Sequence, residues 1–277
     1  MVRVRKKETR RKYKGKDHTF VICAYKESAY LEECILSLKR QSVKSHMIMV
    51  TSTENDFIKN MAKKYRIELF IRNEKSNIAG DWNFGYEKAK TPLITIAHQD
   101  DIYKPDYLKE GLYRINGAKH PLIYFTNYYE IRNKKEVVTN TLLKIKRCML
   151  IPLIPKLFQK SRWIRRRVLS FGCPILCPSV LFVKENLPNP VFQVGMRASL
   201  DWEAWEKISK LKGEFLYSTK ALTCHRIHEE SETSAAIGDS VRTKEDYVMF
   251  CKFWPKPVAR LLQKIYANSE NSNKVQG

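Results

Sequence analysis

Apolar residues in the first half of the chain fall into short runs, separated by longer segments with helical spacing. His18 to Tyr25 carries the run Phe20-Val21-Ile22-Cys23 and reads as a strand. Glu27 to Gln41 places Leu31, Cys34, Ile35 and Leu38 on one face of a helix. Met47 to Thr51 is a second strand, and the polar loop after it leads into a helix over Asp56 to Tyr65. Ile67 to Ile71 is a third strand, Asn83 to Lys90 lies on a helix, and Leu93 to Ala97 is a fourth strand. Strands alternating with helices predict an α/β fold, a parallel sheet with helices on both faces.

The fourth apolar run stops abruptly at His98-Gln99-Asp100-Asp101. Ligands of open α/β sheets bind beyond the carboxyl ends of strands. A divalent cation stabilises two adjacent carboxylates in their ionised form; turn and capping chemistry also accounts for a lone Asp-Asp pair. A helix follows over Asp106 to Gly117, then a strand over Leu122 to Tyr129. Gly172 to Val183 reads as loop then strand, Leu200 to Leu211 as a helix, and Phe215 to Thr223 as a late strand. A polar loop spans His225 to Thr233, and residues 240–266 are helical in pattern, with a frayed tail after them.

Charge changes this picture. The 277 residues hold 51 Lys and Arg against 29 Asp and Glu, a net charge of +22, which calls for an anionic partner. Residues 1–17 form a basic arm. The stretch 142–170 interleaves apolar residues with Lys and Arg, contains no acid and is broken by Pro152 and Pro155. It reads as a basic amphipathic insert for an anionic membrane surface, or as helices covering the sheet with cations on their wet side. No apolar stretch is long enough to span a bilayer, and no apolar core follows the basic start as in a secretion signal. Seven cysteines without framework spacing suit reduced thiols and a cytoplasmic protein. Zinc-finger, RNP and helix-turn-helix signatures are missing, so nucleic acid is not the expected partner. Cys173-x3-Cys177 with Cys224 and His228 offers only a loose zinc spacing.

Six pieces in order carry a resemblance. They are Ala24-Tyr25-Lys26-Glu27; Tyr30-Leu31-x4-Leu36-x4-Gln41-Ser42; Asn83-x-Gly85-x3-Ala89; Ala97-His98-Gln99-Asp100-Asp101; Leu200-Asp201-Trp202-Glu203-Ala204-Trp205; and Arg226-Ile227-His228 with Ser231 and Thr233. Over residues 18–235 the chain resembles family 2 of the inverting glycosyltransferases. The resemblance implies a GT-A domain there, a Rossmann-like mixed sheet flanked by helices, with the 142–170 insert inside it and a C-terminal helical segment over 236–277.

The activity it implies is transfer of a sugar from a nucleotide-diphosphate donor to an acceptor hydroxyl, with inversion and metal assistance. A glycan or lipid-linked acceptor at the inner face of the plasma membrane fits the charge. Asp201 matches the catalytic base. Asp100, Asp101 and His228 match the ligands of a divalent cation, Mn2+ or Mg2+. Ala24, Tyr25, Glu27, Thr51, Ser52, Asp81, His98 and Gln99 fall at donor nucleotide positions. Three places depart from the family pattern: His98 replaces the first Asp of the metal motif, Thr51-Ser52 replaces an acidic pair that includes the base reader, and Lys26 replaces an Asn. A degenerate fold that binds nucleic acid or membrane without catalysis is the alternative.

Overall fold

The protein is described by a computed structural model covering residues 12–228 and 241–270. Most of the basic arm, Ser231 and Thr233 of the polar loop, and residues 271–277 lie outside the described residues. The first half follows the predicted alternation: β1 (His18–Cys23), α1 (Leu31–Lys39), β2 (His46–Thr51), α2 (Asp56–Tyr65), β3 (Glu68–Ile71), α3 (Ile78–Lys88) and β4 (Leu93–His98). Next come β5 (Ile102–Tyr103), α4 (Tyr107–Gly117), β6 (Pro121–Arg132), β7 (Lys135–Val137), α5 (Thr141–Leu150) and α6 (Arg162–Leu169). β8 (Leu181–Val183), α7 (Leu200–Ser209), β9 (Glu214–Arg226), α8 (Val241–Cys251) and α9 (Lys256–Glu270) complete the described chain.

The strands form one sheet in the order β3-β2-β1-β4-β8-β6-β9-β5, with β7 beside β6. β3, β2, β1 and β4 are mutually parallel, as expected. The short β8 then runs antiparallel to both β4 and β6, which makes the whole sheet mixed rather than parallel. β1 shows why the apolar runs are continuous. Phe20 and Ile22 face one core with Leu31, Ile35 and Met49, while Val21 faces the other with Val50, Ile96 and Phe182. A strand covered on both faces has no solvent side to mark with polar residues.

The starts of α3 and α7 and the end of β9 position the cleft. α3 begins five residues before the predicted start, because Asn77 caps it by accepting the Gly80 N–H at 2.7 Å. A Cβ on Gly85 would lie 2.4 Å from Val21 Cγ1, so α3 sits closer to β1 than any larger residue allows. Asn83 ties the same helix to the loop before α7, donating to Phe192 O (2.7 Å) and accepting from Phe192 N (3.1 Å). β9 runs on through His225 and Arg226, which the sequence pattern places in a loop. α7 starts after Ser199, so Asp201 stands in its first turn and does not cap it.

The 142–170 stretch is α5, two short 3-10 turns (Ile151–Leu153 and Phe158–Lys160) and α6. Its cations are not all on a wet face. Arg165 is fully buried and donates to the carbonyls of Gly213 (2.6 Å), Leu211 (2.7 Å) and Ser209 (3.1 Å), closing the end of α7. Arg166 pairs with Glu206 at 2.6 Å. The outer surface of the stretch exposes Ile151, Ile154, Leu157, Phe158 and Trp163, with Trp163 67 % and Leu157 73 % accessible. α8 and α9 join the same core through Met249, Phe250 and Ala259. Among the described residues, no helix is long and apolar enough to cross a membrane.

Candidate active site

A cleft of about 820 Å³ opens at the carboxyl ends of β1 and β4. Cys23 and His98 are paired at the end of the two strands, and beyond them the chains diverge. Gln99 bridges the divergence. Its amide accepts the Tyr25 N–H and donates to the Tyr25 carbonyl, both at 2.9 Å. Ala24, Tyr25, Asp81, Trp82, His98, Gln99 and Asp100 line one side of the cleft; Tyr128, Lys146, Cys173 and Asp201 line the other.

The acidic turn divides its labour. Asp101 is completely buried, and its Oδ1 accepts from His225 Nδ1 (3.0 Å) and from the Arg226 N–H (3.1 Å). It therefore clasps β9 to the end of β4. Its Oδ2 is buried without a hydrogen-bond partner, 3.7 Å from His98 Nδ1. Asp100 faces the cleft, and its Oδ2 lies 2.9 Å from His228 Nε2. Arg226 donates to the Asp100 carbonyl (3.1 Å) and to Glu33 (2.5 Å), and stacks its guanidinium 4.3 Å from the centre of the Tyr30 ring.

Burial pushes the Asp100 carboxyl up, but the His228 hydrogen bond and the nearby imidazoles outweigh it, so the group stays below the usual carboxylate range. Burial lowers His98, against the pull of Asp101 and Asp100, and the imidazole is neutral near pH 7. At His225 burial also pulls down, yet the Asp101 carboxylate wins and raises it. His98, Asp100 and Asp101 bring one ligand atom each to within 4.8 Å of one another, the only such group of three His, Cys or acidic residues among the described residues. The cysteine-rich zinc quartet does not assemble. The donor set fits a divalent cation: a neutral imidazole whose Nε2 is buried and unpartnered, an ionised carboxylate, and an orphaned carboxylate oxygen.

Asp81 lies one turn into α3. Its carboxylate accepts from Ser52 Oγ (2.8 Å) and Arg72 Nε (2.8 Å), so Ser52 reaches the site through Asp81. Trp82 stacks on the His98 ring, 4.8 Å between centres. Thr51 is buried behind the cleft wall and accepts the Thr53 N–H at 3.0 Å. Glu27 is exposed and does not line the cleft.

Across the cleft, Asp201 accepts the Trp202 N–H at 2.7 Å, and the Cys173 thiol points at its other oxygen (3.6 Å). Burial raises its carboxyl above the usual range, although Arg242 and Lys146 oppose the shift. Sequence reasoning did not place Lys146 in this site. For Lys146 the helical period of α5 marks a cation, but not what faces it across the cleft.

A mixed α/β sheet with an acidic turn at the end of β4 and a half-buried carboxylate across the cleft has a GT-A architecture. Residues 19–173 match the family described as Glycosyl transferase family 2, and the chain belongs to that family. Among solved structures it resembles Staphylococcus aureus TarS 1–349 in complex with UDP-GlcNAc (TM-score 0.65, 13% identity, 92% of this chain and 72% of that one). It also resembles the mannosyltransferase PcManGT of Pyrobaculum calidifontis in complex with GDP-Man and Mn2+ (TM-score 0.63, 13% identity, 94% and 71%). No curated protein matches the sequence.

Proposed function

We propose that the protein transfers a sugar from a nucleotide-diphosphate donor to an acceptor hydroxyl, inverting the anomeric carbon with the help of a divalent cation. One observation carries the reading: an ionised carboxylate in a three-ligand group, Asp100, and a half-buried carboxylate with raised affinity for a proton, Asp201, line the same cleft. The two similar structures were determined with UDP-GlcNAc and with GDP-Man plus Mn2+, which supports a nucleotide-sugar donor.

Asp100, His98 and the free oxygen of Asp101 would hold the cation. When bound, Mn2+ or Mg2+ supplies neutralisation of the charge that develops on the leaving diphosphate. His228 orients Asp100 and faces the diphosphate, while Tyr25, Asp81 and Trp82 hold the nucleoside side of the donor. Asp201 takes the proton of the acceptor hydroxyl as the new glycosidic bond forms, opposite the departing diphosphate. A base with a raised pKa holds that proton better than an ordinary aspartate.

The outer surface of the 142–170 stretch supports peripheral attachment to an anionic membrane and a lipid-linked or polysaccharide acceptor. Its exposed aromatic and aliphatic residues stand among Lys156, Lys160 and Arg162 without an acid between them. Calorimetric titration with UDP, GDP, CDP and dTDP, with and without Mn2+, tests the proposal. Metal-dependent binding of one nucleotide is expected; binding of none by folded protein would refute it.

A further inference from the structure

The two sides of the cleft differ in how their charges are balanced. On the donor side Asp100 meets His228, Asp101 meets His225, and Asp81 meets Arg72, each within 3.0 Å. On the other side one cation, Lys146, has no ion pair. Lys146, on α5, donates to the phenol of Tyr128 at 3.0 Å and lies 5.5 Å from the centre of that ring. The other groups that act on it are Tyr266, Cys173 and, beyond ion-pair distance, Asp201. Glu130, on the same wall, is taken up by Arg132 and Asn140, both at 2.8 Å. Among the described residues no carboxylate forms an ion pair with Lys146. Arg242, from α8, lines this side too and adds positive charge near Asp201.

An ammonium in a cleft wall whose hydrogen bond goes to a neutral phenol, and which the Asp201 carboxylate reaches only beyond ion-pair distance, is incompletely compensated for its desolvation. A ligand anion would supply the missing charge, through a short charge-assisted hydrogen bond. The position fixes which ligand. Lys146 acts on both Cys173 and Asp201, the residue read as the base that meets the acceptor.

We propose that the acceptor carries an anionic group, a phosphate or a carboxylate, close to the hydroxyl that receives the sugar, and that Lys146 binds it. The inference rests on the reading of Asp201 as the base at the acceptor side. It makes Lys146 a specificity residue: neutral glycans of the same shape leave the ammonium unpaired and are discriminated against.

The test is an NMR titration of the full chain with three probes: glycerol 1-phosphate, methyl β-D-glucuronide and methyl β-D-glucoside. At least one anionic probe is expected to bind roughly 10-fold more tightly than the neutral glucoside, in line with a hydrogen bond to a charged group. The phosphate and glucuronide arms separate the two kinds of anion. Lys146→Met should bring the preferred anion down to the glucoside, and Lys146→Arg should restore the preference, which sets aside misfolding as the cause. Equal binding of all three probes, no binding of either anion, or a preference that survives Lys146→Met would overturn the proposal. The probes need no nucleotide, so the two readings fail separately. A charge preference without nucleotide binding removes sugar transfer and leaves the anion site; nucleotide binding without a charge preference removes the anion site alone.

Discussion

Replacing Asp101 by asparagine tests the clasp between β4 and β9. The carboxylate is wholly buried and accepts two hydrogen bonds, from His225 Nδ1 and the Arg226 N–H, at 3.0 and 3.1 Å. A carboxamide in its place would keep one oxygen for these donors but lose the charge. Two bonds to a charged acceptor become neutral ones, a loss of about 2 kcal/mol, and a buried amide N–H without an acceptor adds about 1 kcal/mol. The sum, about 3 kcal/mol, corresponds to a fall in Tm of about 6–12 °C in a protein of this size. The effect has a pH signature. His225 is raised from its usual 6.5 by Asp101, with Asp100 and Glu130 adding to the pull. A histidine with a raised folded pKa contributes its full stability below 6.5 and loses it as pH rises through the folded value. The gap between wild type and Asp101→Asn should therefore be widest near pH 6 and narrow toward pH 9. Differential scanning calorimetry in EDTA across that range measures it. A Tm within 1 °C of wild type, or a gap that does not change with pH, would refute the clasp.

Asp201→Asn should lower transfer by about three orders of magnitude while nucleotide binding stays within twofold. In wild type the acid limb of kcat/KM should lie above the ordinary aspartate value of 3.8, with activity lost as pH falls through it, because burial raises Asp201. An acid limb at or below that value would remove Asp201 from the role. Arg165→Met strips three carbonyls of their donor and should cost about 3 kcal/mol in urea unfolding, unusually much for an arginine. Leu157→Ser combined with Trp163→Ser should weaken sedimentation with anionic vesicles by about 10-fold and leave nucleotide binding intact; equal sedimentation would detach the insert from membranes.

Much of the fold could be read from the sequence because its strands are buried on both faces, and continuous apolar runs announce them. The end of β4 could be read for the same reason: a run of five apolar or small residues that breaks into His-Gln-Asp-Asp is visible without coordinates. What the period of a helix cannot give is the partner across a gap. Arg165 and Lys146 sit in one basic stretch with similar neighbours in sequence, yet one plugs the end of α7 and the other lines the cleft. The antiparallel insertion of β8 was equally hidden, since three buried residues have no direction of their own. Glu27 matched a pattern of letters, but the chain turns at Lys26, with φ of 52°, and carries it into solvent.

The amide of Gln99 has a consequence for how such a site can diversify. It spends an acceptor and a donor on the backbone of Tyr25, in the manner of one more rung on the sheet. The middle letter of the acidic turn thus belongs to the architecture, while its neighbours belong to the chemistry. Tyr25, whose side chain takes no part in that rung, is free to drift toward a different nucleoside without unhooking the two strands. A saturation library at these positions would show that separation directly: position 99 intolerant of every residue without a carboxamide, position 25 permissive for folding and selective only for activity.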